Sequence, residues 1–303
     1  MGSGIKNKES STVQNSHAGT LYIVSTPIGN LEDITLRAVR ILKSVDLIAA
    51  ENVKHSKGLC RHYGINTPLT SYHQHNRSVK GPELIRRLKN GFNIALVTNA
   101  GTPAVSDPGN RLINQALEAN IKVSPVPGPS AVVTALSVSG LRAERFLFLG
   151  FLSNRPGKRR KELKNLRHES RAMVLFEAPH RVHALLTDIK EILGDRHMVL
   201  LRELTKVYEE IKRGSVSSIL EELKGDKSKG EFTLVVEGSD KEKHVQKLDI
   251  ITKKKIEQLL KKNRMSVKEI AKELSNEEGL PYRTIYKECL SIKKAIASSN
   301  EMI

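Results

Sequence analysis

Residues 99–109 have the sequence NAGTPAVSDPG and lie just after the apolar run at 94–97. Four consecutive apolar residues bounded by turn residues are typical of a buried strand. The segment that follows consists mainly of small residues and prolines and offers little side-chain bulk. Open α/β sheets bind ligands beyond the carboxyl ends of their strands, where bare backbone approaches a ligand closely. The stretch therefore predicts an α/β sheet with a ligand site at one edge.

Two further loops share these properties. Residues 26–30 (TPIGN) follow a predicted strand at 21–24, and residues 127–131 (PGPSA) follow a short one at 121–123. Each loop alone is explained by ordinary turn geometry, but three loops on one predicted sheet edge favour a ligand cleft. We expect the third loop to lead into a helix that begins near Pro129, with free amides for a carboxylate or phosphate. None of the loops matches a dinucleotide GxGxxG or a Walker motif, which disfavours NAD and ATP.

The first half of the chain alternates short apolar runs with helical patterns. The predicted strands lie at 21–24, 47–50, 69–72, 94–97 and 121–123. A helix with Asp33 as its N-cap is predicted from apolar residues at helical spacing, namely Ala38, Ile41, Leu42 and Val45. Strands that alternate with helices indicate a parallel sheet with right-handed crossovers.

From about residue 145 the pattern changes. The predicted strands lie at 146–149, 173–176, 198–201 and 232–236, and residues 207–211 alternate between apolar and polar. These features predict a second α/β domain with a mixed sheet. The predicted organisation is a disordered leader (1–18), two α/β domains (19–142 and 143–240) and a helical tail (250–303).

The tail contains two helical patterns. Ser266 and Glu269 form a capping box that opens the first helix. Its apolar face consists of Val267, Ile270, Ala271 and Leu274, and that of the second helix of Tyr282, Ile285, Tyr286 and Cys289. The Gly-Leu-Pro sequence at 279–281 separates the two. The pattern resembles a helix-turn-helix, and a helical hairpin packed on the main body explains it equally well.

Charge is the main signal of the composition. The 303 residues carry a net charge of +17, which favours a polyanionic partner, and nucleic acid is the commonest one. A generally basic proteome is the alternative, but the charges are clustered. The predicted RNA-binding cluster is Lys158, Arg159, Arg160, Lys161 and Lys164, and a second cluster lies at 253–264.

Cysteine content and hydropathy indicate the cellular compartment. Cys60 and Cys289 are far apart and form no CxxC pair, which indicates reduced thiols in a cytoplasmic environment and argues against a structural zinc. No apolar run approaches the roughly 20 residues that span a bilayer, so we expect no membrane segment.

A set of motifs in order carries a family resemblance. The motifs are TPIGNLED at 26–33, AGTP at 100–103, SDPG at 106–109, PGP at 127–129, FEAPHR at 176–181 and RELTK at 202–206. Together they resemble the bacterial small-subunit ribosomal RNA ribose methyltransferases of the tetrapyrrole methylase superfamily. The resemblance spans residues 20 to about 238, and the tail looks like the helix-turn-helix that this family adds.

The resemblance implies a fold and an activity. We expect two α/β domains with S-adenosylmethionine in the cleft between them, a homodimer, and methylation of a cytidine ribose 2′-hydroxyl in the decoding region of 16S rRNA. By position, the expected donor-binding residues are Pro27, Ile28, Gly29, Asn99, Ala100, Gly101, Thr102, Ser130, Ala131, Ala178 and Glu231.

The expected chemistry needs few catalytic groups. A sulfonium donor is already activated, so the protein mainly aligns donor and hydroxyl, with a general base to assist loss of the proton. The candidate bases are Glu51, His73, His75, Glu177, His180, Glu203 and Lys206. Our hypothesis favours Glu177, Glu203 and Lys206, while a structural ion pair is the alternative for the last two. His73 and His75 lack a convincing third metal ligand.

Two residues depart from the family pattern. The family usually has Asp where this chain has Asn99, and Glu-Asp-Thr-Arg where it has ENVK at 51–54. Both changes remove a carboxylate from near the expected cleft. They keep open a non-catalytic RNA-binding or ribosome-assembly protein of the same fold. A third reading, a relative that acts on tetrapyrroles or on a protein residue, explains neither the basic clusters nor the tail.

Overall fold

The computed structural model describes residues 18–224, 229–239, 250–262, 265–278 and 282–300. The chain divides into two units. The larger contains residues up to 167 and 171–238, and the smaller contains 168–170 and 239–303. The predicted leader, apart from Ala18, and the predicted helix break at 279–281 lie outside the described residues.

The first sheet of the larger unit has five parallel strands. They are β1 (Thr20–Val24), β2 (Leu47–Ala50), β3 (Leu69–Ser71), β4 (Ile94–Val97) and β5 (Lys122–Val126), in the order β3-β2-β4-β1-β5. The prediction of a parallel sheet is confirmed. The fifth strand continues to Val126, so it is longer than predicted, because its full length pairs with β1.

Five helices connect and follow these strands. They are α1 (Leu36–Ser44), α2 (Val53–His62), α3 (Arg77–Lys89), α4 (Asn110–Glu118) and α5 (Ala131–Ser139). The prediction that Asp33 caps α1 is wrong. Thr35 is the N-cap and its hydroxyl accepts from the amide of Ala38 at 3.1 Å, because Asp33 belongs to a preceding single 3-10 turn. The helix expected near Pro129 begins at Ala131.

The second sheet is mixed, as predicted. Its strands are β6 (Phe146–Gly150), β7 (Ala172–Glu177), β8 (His197–Arg202), β9 (Glu210–Ser215) and β10 (Phe232–Val236), in the order β6-β7-β10-β8-β9. Among the described strands of this sheet, the β6–β7 pair is parallel and the other three pairs are antiparallel. Its helices are α6 (Pro156–Asn165), α7 (Val182–Leu193) and α8 (Val216–Glu222). The predicted boundary near residue 142 falls between α5 and β6.

The packing of α5 joins the two halves of the larger unit. Val132 and Ala135 of α5 are buried against Val174, Val199 and Val235 of the second sheet. Removal of these apolar side chains from water stabilises the contact. The loop before α5 is thereby held beside the carboxyl end of β7.

The smaller unit contains three described helices, α9 (Ile250–Lys262), α10 (Val267–Glu278) and α11 (Tyr282–Asn300). The capping box is confirmed, because the amide of Ser266 donates to the Glu269 carboxylate at 2.8 Å and the amide of Glu269 donates to the Ser266 hydroxyl at 3.3 Å. The helices share a core of Ile256, Ile270, Ala271, Leu274, Ile285 and Cys289.

Two further features concern the cysteines and the helix lengths. Cys60 and Cys289 are both free and buried. Within the described ranges, no helix combines the length and the apolar character required to span a bilayer.

Candidate active site

The three loops predicted to converge do so, at the carboxyl ends of β1, β4 and β5. They form one side of a cavity of about 370 Å³, which we call the apolar cavity. The lining residues from these loops and from the start of α5 are Ile28, Ala100, Gly101, Thr102, Val105, Ser106, Asp107, Ser130, Ala131 and Val132. The ligand cleft predicted from the sequence is therefore present.

Backbone hydrogen bonds hold the first two loops together. Thr26 and Gly101 exchange both amide-to-carbonyl bonds, at 2.9 and 3.0 Å. Gly101 has a φ of +74°, which is a left-handed conformation that glycine adopts without strain. The hydroxyls of Ser25 and Thr102 are 2.9 Å apart. The side of the cavity formed by these loops is thus fixed before any ligand arrives.

The second sheet supplies the opposite side. Phe151, Phe176, Leu204 and Phe232 line it together with the segment Glu177–Pro179 that follows β7. The ring centroids of Phe151 and Phe176 are 5.7 Å apart. This wall is mainly apolar, so it excludes water and strengthens electrostatic interactions with a bound ligand.

Glu177 is the buried charged group of this wall. It is only 2% exposed, and one carboxylate oxygen accepts from the amide of Ala178 at 2.8 Å and lies 3.1 Å from Nε of Arg181. The other oxygen, Oε2, is buried without a hydrogen-bond partner among the described residues. Burial raises the pKa of Glu177. A polar ligand group that reaches Oε2 would satisfy it.

Glu203 and Lys206 form the ion pair that the sequence analysis gave as the structural alternative. Their charged atoms are 2.9 Å apart, and Lys206 also pairs with Glu231 at 3.1 Å. Lys206 holds the pKa of Glu203 below its usual range. Burial lowers the pKa of Lys206, but the two carboxylates outweigh it and raise the pKa. This pairing keeps both partners charged.

A second cavity, of about 640 Å³, adjoins the apolar cavity and shares Ile28, Ala100 and Glu231 with it. We call it the α2 cavity because helix α2 forms one wall. Of the predicted donor-binding residues, Pro27, Gly29 and Asn99 line the α2 cavity, whereas Ile28, Ala100, Gly101, Thr102, Ser130, Ala131, Ala178 and Glu231 line the apolar cavity. Lys206 lines the α2 cavity as well.

Sequence reasoning missed Asp107, although the residue lies in the quoted SDPG motif. Asp107 lines the apolar cavity. Burial and the negative charge of Glu51 raise the pKa of Asp107 to about 6, against a hydrogen bond with Thr98 that lowers it. Glu51 in turn accepts from the amide of Asn99 at 3.2 Å. Asp107 therefore lies in the wall of the apolar cavity, and Glu51 is close enough to it to raise its pKa.

The raised pKa of Asp107 predicts how the stability of the protein changes with pH. Between about pH 4 and 6 the folded protein holds this proton more tightly than the unfolded chain, so the associated stability is lost as pH rises through about 6. Asp107→Asn has no such proton. The stability of the variant relative to wild type should therefore increase by about 1–2 kcal/mol from pH 4 to pH 7. Urea unfolding at several pH values measures this difference, and a constant difference would contradict the assignment.

The structure corrects part of the predicted RNA-binding cluster on α6. Arg159 is 5% exposed, and its Nε donates to Asp188 of α7 at 2.7 Å. Arg160 pairs with Asp188 at 2.6 Å and with Glu191 at 2.7 Å. Arg159 therefore belongs to the interior. The exposed members of the cluster are Lys158, Lys161 and Lys164.

The two histidines considered as metal ligands lie close together. The amide of His75 donates to Nδ1 of His73 at 3.3 Å, and the ring centroids are 5.9 Å apart. In the part of the chain that the structure describes, no group of three or more His, Cys, Asp or Glu side chains is arranged to hold a metal ion.

Comparison with known proteins identifies the family. The sequence model of the tetrapyrrole (corrin/porphyrin) methylase family matches residues 20–220 of this chain. The chain belongs to this family. It is 44% identical over 275 residues to ribosomal RNA small subunit methyltransferase I of Bacillus subtilis, covering 89% of this chain and 94% of that protein. Its identity to the protein of that name from Escherichia coli O157:H7 is 47% over 234 residues, covering 76% of this chain and 82% of that one.

Solved structures support the fold. A uroporphyrin-III-C-methyltransferase from Thermus thermophilus matches with a TM-score of 0.53 at 20% identity, covering 72% of this chain and 94% of that one. The methyltransferase CobJ matches with a TM-score of 0.56 at 16% identity, covering 73% and 95%. At these identities the likeness concerns the fold alone.

The cofactor of the family, S-adenosylmethionine, fits the residues present. The apolar cavity offers aromatic and aliphatic walls, bare backbone at Gly101, the small side chain of Ala131, and the Glu177 oxygen that has no partner among the described residues. A ligand with both an apolar ring system and several polar groups suits that combination. The three loops and the segment after β7 are therefore the parts of the chain that would hold it.

Proposed function

We propose that this protein methylates small-subunit ribosomal RNA, and that the acceptor is the 2′-hydroxyl of a cytidine ribose in the decoding region of 16S rRNA. The observation that carries the proposal is the similarity, along nearly the whole chain, to proteins named ribosomal RNA small subunit methyltransferase I. The ribose specificity rests on the motifs quoted above. We further propose that the protein acts in the cytoplasm as a homodimer.

The side chains of the cleft suit this reaction. When bound, S-adenosylmethionine supplies a methyl group that needs no further activation. The remaining task is to align the hydroxyl and to accept its proton. Asp107 suits proton acceptance, because a pKa of about 6 leaves it charged at neutral pH and still basic. We assign Glu177, which lines the apolar cavity, and Lys206, which lines the α2 cavity, to positioning of the acceptor, and Glu203 to holding Lys206 in place through their ion pair.

The geometry weakens the non-catalytic alternative. Asn52 is the N-cap of α2, and its side-chain oxygen accepts from the amides of Lys54 and His55 at 3.0 and 3.2 Å. Asn serves this role as well as Asp does. Near Asn99, Glu51 and Asp107 still provide carboxylates. The two departures from the family pattern therefore leave the cleft with acidic groups.

Methyl transfer to ribosomal substrates tests the proposal. The protein is incubated with donor labelled in its methyl group and with either free 16S rRNA or small ribosomal subunits that lack the modification. We expect label in the RNA of the subunits and, after digestion to nucleosides, in 2′-O-methylcytidine. Asp107→Asn should slow the transfer at least about tenfold if Asp107 accepts the proton.

Other outcomes select between the alternatives. Label in a base would refute the ribose specificity. Tight binding to subunits without transfer would support the non-catalytic RNA-binding protein. Transfer to a tetrapyrrole or a protein side chain, with none to RNA, would refute the proposed substrate class.

A further inference from the structure

Helix α2 has an unusual charge distribution beside the α2 cavity. Its sequence VKHSKGLCRH contains three cationic residues and two histidines but no acidic residue. The cationic side chains, Lys54, Lys57 and Arg61, are all exposed. Their spacing of three and four residues places them in one row along the helix. Among the described residues none of the three forms an ion pair, so the row carries three unneutralised charges.

A neighbouring row of the same helix faces the α2 cavity. His55, Gly58, Leu59 and His62 line it, again at spacings of three and four residues. Arg61 lines the cavity as well, so the cationic row borders directly on it. The opposite wall includes Glu231 and Lys206, which form an ion pair, and the loops that also border the apolar cavity. The positive charge that a ligand in the α2 cavity would meet beside the donor-binding loops therefore comes from Arg61 of α2.

Gly58 provides a second observation. A glycine inside a helix costs about 0.5–1 kcal/mol relative to alanine. A Cβ atom at this position would have no atom within 4 Å, so internal packing does not require the glycine. Its absent side chain instead leaves the cavity wall open and the helix backbone accessible. This is the arrangement expected where another molecule approaches the helix.

The α6 cluster differs from α2 in these respects. Arg159 and Arg160 are neutralised by Asp188 and Glu191, and Glu162 lies on the same helix. Three lysines of α6 are exposed, but none of them lines either cavity. Charge at the cleft is therefore concentrated on α2.

We propose that the α2 cavity and the row Lys54, Lys57 and Arg61 bind the phosphate backbone of the rRNA strand beside the nucleotide to be methylated. This proposal rests on the proposed function and adds the surface that receives the substrate. Contacts of cationic side chains with phosphates position a nucleic acid and release counterions, so binding through them weakens with salt.

The test compares two variants that each lose three positive charges. The first variant carries Lys54→Gln, Lys57→Gln and Arg61→Gln. The control carries Lys43→Gln, Lys89→Gln and Lys122→Gln, which remove the same charge from exposed positions outside both cavities. We expect the first to raise the Kd for unmodified small subunits at least about tenfold and to reduce the salt slope by about 2. The control should change Kd less than about threefold.

A second variant places negative charge in the cavity itself. Gly58→Glu has space for its side chain, and Gly58→Ala is its matched control. The glutamate should weaken subunit binding and slow methyl transfer about tenfold or more. The alanine adds one methyl group and no charge to the surface that the RNA approaches, so its effect on both should stay below about threefold. Calorimetry with S-adenosylmethionine should give the same donor affinity for all four variants.

The outcomes separate this proposal from the proposed function. If wild type methylates subunits and the α2 triple variant keeps the wild-type Kd and salt slope, the α2 proposal alone is refuted. If wild type neither binds subunits nor methylates them, both are refuted. If the α2 triple variant and its control bound subunits with the same Kd, the total charge of the protein, and not this surface, would determine binding.

Discussion

Replacing Asp188 with alanine is expected to lower the free energy of unfolding by about 3–5 kcal/mol. The Asp188 carboxylate on α7 accepts from Arg159 at 2.7 Å and from Arg160 at 2.6 Å. Both Arg159 and Asp188 are buried, at 5% and 6% exposure. Without the carboxylate, the guanidinium of Arg159 remains in the interior as an unpaired charge, which is the main source of the loss. Urea unfolding curves measure the change. If the dependence of the unfolding free energy on urea concentration has the same slope as in wild type, the unfolded state is unaltered.

Two further variants isolate the cause. Glu191 is the other acidic partner of Arg160, and the Glu191 side chain is 53% exposed. Glu191→Ala should therefore cost at most about 1 kcal/mol. The double variant Arg159→Leu, Asp188→Leu removes both buried charges and should recover most of the stability lost in Asp188→Ala. If Asp188→Ala were as mild as Glu191→Ala, Arg159 would have to reach water, and the buried pair would not stabilise the fold.

This pair shows why the basic cluster could be predicted only in part. Arg159 stands in the run KRRK at 158–161, and its partner Asp188 is 29 residues away on another helix. No local pattern reveals such a partner. One signal was available, because Leu163 follows Arg159 by four residues on the same helix face and is buried. A basic residue on the apolar face of a helix predicts a buried ion pair better than an RNA contact.

The strands were predictable where burial is complete. β2 and β4 consist of four consecutive buried residues each, and the sequence analysis predicted their bounds correctly. β9 is only half-buried and lies at the edge of the sheet. The sequence analysis noted only an alternating segment at 207–211, which overlaps β9 in two residues. The edge strands β3 and β6 were nevertheless predicted to within one residue, because each contains an apolar or β-branched run. The sequence EIKRGS of β9 has no such run, so it gives a weaker signal.

The part of the site that is formed by loop backbone was predictable from the sequence. The small residues and prolines of the three loops predicted their convergence correctly. The approach of Glu51 to Asp107 depends instead on strand order, because β2 and β4 are neighbours in the sheet and bring their carboxyl ends together. The α2 cavity depends on the same order. Contacts such as that between Glu51 and Asp107 depend on the order of the strands in the sheet. Local sequence patterns do not reveal that order.

Replacing Gly29 with alanine is the second substitution expected to have a large effect. A Cβ atom at this position would lie 2.6 Å from Cγ of Lys206, 2.6 Å from the Thr205 hydroxyl and 2.7 Å from the carbonyl of Leu204. The carbonyl belongs to the backbone and cannot rotate away. The next residue, Asn30, donates its amide to the Thr205 hydroxyl at 3.0 Å, so the loop after β1 and the loop after β8 are in close contact. The substitution must separate them.

Separation of these loops would alter the cleft on both sides. Ile28 and Leu204 line the apolar cavity, and the displaced Lys206 would lose its short contacts with Glu203 and Glu231. We therefore expect Gly29→Ala to raise the Kd for S-adenosylmethionine about tenfold or more, which corresponds to about 1.4 kcal/mol. The free energy of unfolding should fall by about 1–3 kcal/mol, as in other overpacked sites.

Gly157→Ala is the matched control for this prediction. A Cβ at Gly157, in the first turn of α6, would have no atom within 4 Å, so the same chemical change meets no obstacle. It should leave donor affinity unchanged and slightly favour the helix. Calorimetry and urea unfolding of both variants provide the comparison. If Gly29→Ala bound the donor as tightly as Gly157→Ala, the contact between the two loops would not shape the donor site, and the cleft would tolerate a wider separation of its walls.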